Sequence, residues 1–381
     1  MALILQASLT RVNRYYEKDV RKLAAEAAFN VIDSATVDDV DYVVVGSSLS
    51  YLQSPQLDLA SYIAGYIGLR GARALTIEAG EASGLAAVQV AKSLIDSNHA
   101  ERVLVVGVDK LTDHVSSETY RHLQSIYDTE SDAVYNIGHA GIAGLLMRLY
   151  MSRYGVSRED MAYWPVIMHS HGKSNPYAML RFNVSVEKVI SAMPVADPIT
   201  LLDLYPIGDG ASAILLSSHE DSKAGDAIAE LVRVESATGY PSPALRDDPL
   251  FIESLEEASR RLNMGTREWE RVDVIELHDT STITAYMILE TLGIVDKGRA
   301  PQEVAKGRFT VGGEGPVINP SGGLKSRGHP VGATGVYQIA EVSLQLAGEF
   351  PGVRVDDAKL GAVISINGHG SSSYVGLLRS V

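Results

Sequence analysis

Short apolar runs alternate with segments of helical periodicity along most of the chain. Val20–Ile32 carries apolar residues at helical spacing and predicts an amphipathic helix. Ser83–Ile95 is apolar on most faces and predicts a helix buried between layers. The predicted strands are Tyr42–Val45, Leu75–Ile77, Val103–Val108, Ile214–Leu216, Val272–Leu277, Val363–Ile366 and Val375–Leu378. This alternation of strands and helices indicates an α/β fold.

The same local pattern occurs twice. DYVVVGSS and LTIEAGEASGLAAVQVAKSLI in the first half have counterparts in RVDVIELHDTSTITAYMILETLG and NPSGGLKSRGHPVGATGVYQIAEV in the second, a weak sign of internal duplication. We therefore expect an N-terminal half, residues 1–220, and a C-terminal half, residues 221–381, with a boundary near the polar connector His219–Ala227. Residues 113–197, rich in Tyr, His, Met and Ser, are expected to form an inserted segment that covers a ligand site.

Charge and cysteine content exclude several classes of function. The 381 residues carry a formal net charge of −14 and contain no cysteine, so a disulfide framework, a cysteine-ligated metal and a thiol nucleophile are all excluded. The acidic balance argues against nucleic acid or an anionic membrane surface as the main partner. The N-terminus runs directly into charged residues and does not resemble a signal peptide, and we expect a cytoplasmic protein without a membrane span.

Two candidate residues lie next to predicted strand ends. Glu81 follows a strand and precedes the buried helix, where free amides and the helix dipole favour an anion; a plain helix-start carboxylate is the alternative. His278, in ELHDTS, lies at the carboxyl end of a strand, the place where ligands bind in α/β proteins. The alternative is a histidine that bonds locally with Asp279.

Two glycine-rich loops are further candidates. The loop Asn319–Gly335 contains five glycines and His329, yet it matches neither common nucleotide-binding motif. A histidine before a proline in such a loop is poorly placed for core packing, which favours a functional role. Asn367–Gly370 follows a strand, and its amides are placed either to bind an oxyanion or simply to form a hairpin turn.

Metal and phosphate contacts have weaker support. No tight ligand motif predicts a metal, and His169 and His171 have ligand spacing without a supporting carboxylate. The cations that are candidates for phosphate contacts, with solvated surface charge as the alternative, are Lys173, Arg181, Lys325 and Arg327.

Taken together, these segments resemble the thiolase superfamily, in particular its sterol-carrier-protein-type and archaeal members. The resemblance covers nearly the whole chain through VLVVGVDKLTD, HSHGKSNPYAMLR, ADPITLLDLYPIGDGASAILLSS, ELHDTSTI and GGLKSRGHPVGATG. It implies a five-layered αβαβα fold built from two βαβαβαββ halves. It also implies a homodimer or tetramer, and a coenzyme A (CoA) thioester as substrate or ligand without a tightly bound cofactor.

The resemblance assigns roles to individual residues. Glu81 stands where the family has the cysteine that takes the acyl group, and His329 stands where a histidine activates that cysteine. His278 occupies the position that binds the thioester oxygen. The second, acid/base cysteine of the family corresponds to Thr280, or in other members to the C-terminal loop with Gly368 and His369. The resemblance, with the loop chemistry, suggests a CoA-binding set of His169, Lys173, Arg181, Ser321, Gly322, Gly323 and Lys325.

Three functions fit a thiolase-like chain without cysteine. The first is an aldolase- or decarboxylase-like enzyme that stabilises a thioester enolate, with Glu81 or a tyrosine such as Tyr337 as proton carrier. The second is a non-catalytic subunit that assembles with a small OB-fold/zinc-ribbon protein and a hydroxymethylglutaryl-CoA synthase. The third is acyl transfer by direct attack between two bound substrates. Contact between Glu81 and His329 beside an open tunnel favours chemistry, and a closed, filled tunnel favours the second function.

Overall fold

The computed structural model describes residues 1–37, 39–221 and 223–381. The strands in these ranges are β1 (Ala2–Leu9), β2 (Tyr42–Gly46), β3 (Arg73–Ile77), β4 (Arg102–Asp109), β5 (Pro194–Ala196), β6 (Ile199–Thr200), β7 (Gly210–Ser218), β8 (Ala229–Thr238), β9 (Val274–Glu276), β10 (Val317–Ile318), β11 (Leu360–Asn367) and β12 (Ser372–Arg379).

The α-helices in the same ranges are α1 (Val20–Ala35), α2 (Ser50–Gln53), α3 (Leu59–Tyr66), α4 (Ser83–Asp96), α5 (Ser116–Leu123), α6 (Gly138–Tyr154), α7 (Arg158–Met161), α8 (Tyr163–Ser174), α9 (Val186–Ile190), α10 (Glu253–Arg261), α11 (Thr266–Trp269), α12 (Thr282–Thr291), α13 (Ala300–Ala305), α14 (Gly323–Ser326) and α15 (Thr334–Leu346). No helix in the described parts of the chain combines the length and apolarity needed to span a bilayer.

Ten of the strands form one sheet whose two halves repeat the same topology. The order is β10-β9-β11-β12-β8-β1-β7-β4-β2-β3, and β1 pairs with β8 at the centre. In the N-terminal half, β3-β2 and β2-β4 are parallel pairs, and β4-β7 and β7-β1 are antiparallel pairs. In the C-terminal half, β10-β9 and β9-β11 are parallel, and β11-β12 and β12-β8 are antiparallel, in the same order from the edge of the sheet to its centre. The chain therefore passes twice through a βαβαβαββ arrangement, which confirms the internal duplication expected from the sequence.

Two helices lie between the halves of the sheet and create a layered structure. Helices α4 and α15 pack against each other, and each contacts strands of both halves. Helices α1 and α3 cover the outer face of the N-terminal strands, while α10 packs on β8 and β12. The apolar side chains that α4 and α15 bury explain why Ser83–Ile95 lacks a polar face.

All seven strands predicted from apolar runs are present, and the two predicted helices extend by a few residues. Strands β1, β5, β6, β8 and β10 were not predicted. In β8 the sequence AELVRVESAT alternates charged and apolar residues, because the strand is buried on one face only. Strand β10 has two residues, too few for a pattern.

The segment 113–197 forms a helical layer against the C-terminal half. Helix α8 packs on α13 and α14, and α6 packs on α12. This places tyrosine and histidine side chains of the segment next to the carboxyl ends of the C-terminal strands. The boundary near His219–Ala227 stays a prediction, and its Ser222 lies outside the described residues.

Candidate active site

Glu81 lies in the short turn between β3 and α4 and is fully buried. Its backbone N–H donates to Asn367 Oδ1 at 3.0 Å. Gly80 has φ +59°, and a Cβ there would overlap the Asn367 amide, so this turn requires glycine. Ser83 Oγ closes the turn by donating to the Gly80 carbonyl at 2.6 Å. The turn therefore holds the Glu81 side chain against the β11–β12 hairpin.

The Glu81 carboxylate joins two of the other candidate residues. Oε1 lies 3.2 Å from His329 Nε2, and Oε2 accepts the Gly368 N–H at 2.8 Å. His278 Nε2 lies 4.0 Å from Oε2. Four residues that are distant in sequence thus meet at one buried point. Contact between Glu81 and His329 is one of the two conditions that the sequence analysis set for chemistry, and an open tunnel is the other.

His329 is fixed by contacts on two sides. Its Nδ1 lies 2.7 Å from Thr334 Oγ1, the first residue of α15. The rings of His278 and Tyr205 each meet it edge-on, at centroid distances of 5.1 and 4.6 Å. Because the hydroxyl of Thr334 occupies Nδ1, Nε2 is the nitrogen that faces Glu81.

His278 follows β9 and is fully buried, yet neither of its ring nitrogens has a hydrogen-bond partner among the described residues. Asp279 does not satisfy it. That carboxylate instead accepts from Trp164 Nε1 at 2.9 Å, from Asn319 Nδ2 at 2.9 Å and from the Leu324 N–H at 2.7 Å. The local histidine–aspartate bond considered from the sequence is therefore wrong, and His278 points its ring towards the cluster unpaired.

The carbonyl of Thr280 and the ring of His369 meet a residue that the sequence analysis did not identify. His139, at the start of α6, donates from Nε2 to the Thr280 carbonyl at 3.1 Å. Its Nδ1 therefore accepts the Tyr127 hydroxyl at 2.7 Å. The His369 ring stacks on His139 at 4.8 Å.

Sequence reasoning missed His139 and Tyr127 because they belong to no recognised motif. It missed Tyr205 because no role was assigned to any residue of the stretch ADPITLLDLYPIGDGASAILLSS, which contains it. The only signal was the high content of tyrosine and histidine near the covering segment.

Burial dominates the electrostatics of this cluster. It raises the pKa of Glu81, against the opposing effects of His278, His139 and the Gly368 amide. Burial, reinforced by His329, lowers the pKa of His278 to about 3. Burial also lowers the pKa of His329 and His369 well below the usual histidine value. At neutral pH the imidazoles are therefore uncharged, with their lone pairs available as bases or ligands.

The candidate cations for phosphate contacts separate into two groups. Lys173 and Arg181 are exposed, while Lys325 is buried and donates to the Leu204 carbonyl at 2.6 Å. Arg327 is also buried, and its Nε lies 3.0 Å from Glu341 Oε1. A phosphate role for Arg327 is therefore wrong, because its charge is already paired within the core.

The histidine and the glycines of the expected CoA-binding set, and the neighbouring His171, have mainly protein partners. His169 donates to the Phe182 carbonyl and His171 to that of Asn319, both at 3.0 Å. A Cβ at Gly322 would overlap α8 at Gly172, and one at Gly323 would overlap the Asp279 carboxylate. These glycines permit close packing of the loop, and any contact with CoA stays a prediction.

Ser321 and Tyr337 are both engaged inside the core. Ser321 Oγ donates to Glu276 Oε2 at 2.7 Å. The Tyr337 hydroxyl lies 2.9 Å from both the hydroxyl and the carbonyl oxygen of Thr10. A proton-carrying role for Tyr337 stays a prediction, and Tyr127 and Tyr205 are tyrosines whose rings lie beside histidines of the cluster.

Two cavities approach the cluster from different sides. One of about 690 Å³ is lined by Tyr205, Phe182, Lys325 and Arg14, and the Tyr205 ring also contacts the His329 ring. The other, of about 490 Å³, is lined by Gly80, Asn367 and Ile126. Glu81, His278 and His329 themselves are 0% exposed.

Comparison with known proteins defines the class of protein to which this fold and site belong. Residues 2–220 match the family model described as the N-terminal domain of thiolase. Residues 242–380 match the model described as thiolase C-terminal domain-like. The chain belongs to the thiolase family, and its α/β layers are those of the thiolase fold.

Individual relatives support this assignment. An acetyl-CoA acetyltransferase of Methanothermobacter thermautotrophicus is 33% identical over 377 residues, which cover 98% of this chain and 97% of the relative. An acetyl-CoA acetyltransferase of Methanocaldococcus jannaschii is 32% identical over 88% of this chain and 87% of the relative.

Two solved structures share the fold. The Ltp2-ChsH2(DUF35) aldolase superposes with a TM-score of 0.83 at 21% identity, over 100% of this chain and 97% of the other. Human mitochondrial 3-ketoacyl-CoA thiolase in complex with CoA gives a TM-score of 0.78 at 16% identity, over 100% and 98%.

Proposed function

We propose that this protein binds a CoA thioester and cleaves or forms a carbon–carbon bond in it through an enolate, without an acyl-cysteine. The observation that carries the proposal is the meeting of the Glu81 carboxylate with His329 Nε2 and the Gly368 N–H at one buried point. Glu81 stands at the nucleophile position of the family by resemblance, and the chain has no cysteine to take an acyl group.

A carboxylate is a poor substitute for the thiol in thiolysis. Its attack on a thioester would give a mixed anhydride, which lies uphill of the thioester, and a carboxylate is a much weaker nucleophile. A carboxylate beside an imidazole is instead suited to accepting and returning a proton. The composition of the site therefore favours proton transfer over acyl transfer.

The proposed reaction balances without a further reactant. In the cleavage direction, the substrate is a 3-hydroxyacyl-CoA thioester. The proton of the 3-hydroxyl group passes to the Glu81–His329 pair, the C2–C3 bond breaks, and its electron pair forms the enolate of the thioester. Protonation of C2 then gives a shorter acyl-CoA and a carbonyl compound. The enolate oxygen requires hydrogen-bond donors, and the Gly368 amide is one that the structure provides.

In the present structure the Gly368 N–H already donates a hydrogen bond to Glu81. A thioester oxygen that uses the Gly368 N–H must first displace Glu81 Oε2, which lies 2.8 Å from it. His329 then retains the second oxygen of the same carboxylate. The Glu81 side chain thus has two positions in the catalytic cycle. In one it accepts the hydrogen bond of the Gly368 N–H, and in the other that N–H is free to donate to the substrate.

The larger cavity is the proposed binding site for CoA. Lys325 and Arg14 supply positive charge at its wall, and Phe182 and Tyr205 supply aromatic surface. Relatives that are named for acetyl-CoA and a neighbour solved with CoA support this ligand class. The cavity ends at the Tyr205 ring beside His329, which aligns it with the cluster.

A homodimer is the proposed assembly. Strand β3 is an edge strand with a partner on one side only, and it exposes Leu75. The side chains of Tyr62 and Tyr66 on α3 are about half exposed, at 50% and 48%. An unpaired edge flanked by exposed aromatic residues favours pairing with a second copy of the chain. The two-component aldolase among the structural neighbours supports an accessory partner, for which the OB-fold/zinc-ribbon type and the synthase remain our expectation.

A non-catalytic subunit is the second candidate. The observation that favours it is the complete burial of Glu81, His278 and His329 behind Tyr205, which resembles a closed tunnel. Under this alternative the chain would bind a CoA ester or a partner without turnover.

A panel of 3-hydroxyacyl-CoA esters tests the proposal. The purified protein is incubated with each ester without free CoA, and the products are separated by chromatography and mass spectrometry. Appearance of a shorter acyl-CoA with an equimolar aldehyde or ketone supports the enzyme. Binding of esters by calorimetry without any product supports the subunit. Robust thiolysis of acetoacetyl-CoA by added CoA overturns the proposed role of Glu81.

A further inference from the structure

The three buried side chains Glu81, His278 and His329 have the composition of a metal centre. Each offers one ligand atom, and the three atoms lie within 4.8 Å of one another. The residues come from three separate parts of the chain, after β3, after β9 and in the loop before α15, so no sequence spacing reveals them. The sequence analysis expected no metal for this reason.

We infer that Glu81, His278 and His329 bind one divalent transition-metal ion, of which zinc is the expected physiological example. Two histidines and one carboxylate are a common ligand set for catalytic zinc, which leaves a further position open for water or substrate. The inference stands on the geometry of the cluster and goes beyond the proposed reaction, since the ion is testable without any substrate.

The distances between ligand atoms suit such an ion. Ligands about 2.0–2.2 Å from a tetrahedral zinc lie roughly 3.4 Å from one another. Glu81 Oε1 is 3.2 Å from His329 Nε2, and Glu81 Oε2 is 4.0 Å from His278 Nε2. Binding therefore requires a contraction of the cluster that side-chain rotation supplies, and the hydrogen bond between His329 and Glu81 gives way to two bonds to the ion.

The unpaired ring of His278 is the independent observation that indicates a ligand. It is 0% exposed, and both of its nitrogens lack a hydrogen-bond partner among the described residues. A buried polar group without a partner costs on the order of 1–3 kcal/mol, so such groups usually have one. Nε2 is the nitrogen nearer to Glu81, and a cation placed between them would satisfy it.

The groups behind the ligands are arranged as in metal sites. Thr334 Oγ1 holds Nδ1 of His329, which leaves Nε2 for the ion. The Gly368 N–H holds Oε2 of Glu81. Such outer contacts fix the orientation of the ligands and are typical of protein metal centres. Because Nε2 of His329 cannot bind the ion and accept a proton at the same time, the proposed reaction would use the metal-free cluster, and bound metal would inhibit it.

Metal analysis of the full chain, purified without a histidine tag, tests the inference. The protein is first stripped with a chelator and then titrated with Co²⁺ alone while visible absorption is recorded. We expect about one equivalent per chain, with the intense d–d bands of a low-coordinate cobalt site. Binding of less than a tenth of an equivalent would overturn the inference.

Variants identify the ligands. Glu81→Gln and His278→Ala should weaken Co²⁺ binding at least about tenfold, whereas His99→Asn, which changes an exposed histidine, should leave it unchanged. Equal binding by all three would show surface coordination and overturn the assignment. Glu81→Cys should retain the ion and add a thiolate-to-cobalt band in the near ultraviolet. Retained cobalt binding without that band would contradict contact between residue 81 and the metal.

The two proposals fail separately. Cleavage of a 3-hydroxyacyl-CoA by chelator-treated protein that binds no cobalt refutes the metal centre alone. Cobalt binding at the three ligands by a protein that acts on no CoA ester refutes the proposed reaction alone.

Discussion

The turn after β4 in the N-terminal half is equivalent to the turn after β11 in the C-terminal half, but the two turns have different surroundings. At the end of β4, Asp109 Oδ2 accepts the Gly332 N–H at 2.6 Å, just before α15. At the end of β11, Asn367 Oδ1 accepts the Glu81 N–H at 3.0 Å, just before α4. Each strand end thus anchors the start of the central helix that belongs to the other half.

The surroundings of these two anchors differ. Asp109 also accepts from Ser47 Oγ at 2.6 Å and from the Ser48 N–H at 3.2 Å, so its polar neighbours are paired. Near Asn367, the buried rings of His278 and His369 have no hydrogen-bond partner among the described residues. One copy of the turn therefore pairs its polar groups internally, whereas the other copy leaves two buried imidazoles unpaired among the described residues, as the proposed ligand site requires.

The largest expected effect is on catalysis at the cluster beside the turn after β11. His329→Ala should lower kcat/KM for cleavage of a 3-hydroxyacyl-CoA at least about 100-fold, because it removes the base that shares a proton with Glu81. The rate is measured from the shorter acyl-CoA released. His99→Asn serves as the control. Retention of activity within threefold would remove His329 from the mechanism.

The next largest effect is on the stability that Asp109 provides at the end of β4. Asp109→Ala leaves the N–H groups of Ser48 and Gly332 without their acceptor, and we expect a loss of about 3 kcal/mol in the free energy of unfolding. The matched change Asn367→Ala should cost about 1 kcal/mol. Denaturant titration followed by circular dichroism measures both. Equal losses would erase the distinction between the two turns.

A smaller effect concerns ligand affinity. Glu81→Ala frees the Gly368 N–H, so binding of an unreactive CoA thioether that carries a carbonyl group should tighten about tenfold, or ~1.4 kcal/mol, while cleavage is lost. Calorimetry measures the dissociation constant. Weaker binding by the variant would show that Glu81 contacts the ligand favourably and does not compete with it.

The smallest effect concerns the cover over His329. Tyr205→Phe keeps the ring that lies 4.6 Å from the His329 ring, and we expect a cleavage rate within about twofold of the original. Tyr205→Ala should raise the cleavage rate by about fivefold, since it opens the larger cavity towards His329. A strong loss with phenylalanine would assign a chemical role to the Tyr205 hydroxyl.

Much of the fold was predictable because its strands are continuous apolar runs and α4 is apolar on most faces. Local motifs also marked Glu81, His278 and His329, since each follows a strand or lies in a glycine loop. Their mutual contacts were not predictable from composition, because they depend on how the two halves pack.

Other features depended on tertiary contacts with no local signal. His139 reaches the Thr280 carbonyl only because the covering segment docks on the C-terminal half. Arg327 looked like a surface cation in its loop, yet it pairs with Glu341 inside the core. Both errors arise because a polar residue in a loop carries no information about which element will cover it.

Cleavage of a 3-hydroxyacyl-CoA in D₂O without free CoA tests the central claim most directly. The account predicts a carbonyl product and a shorter acyl-CoA that carries one deuterium at C2, with no acyl adduct on the intact protein. Thiolysis of a 3-ketoacyl-CoA that requires free CoA and leaves an acylated protein would contradict it.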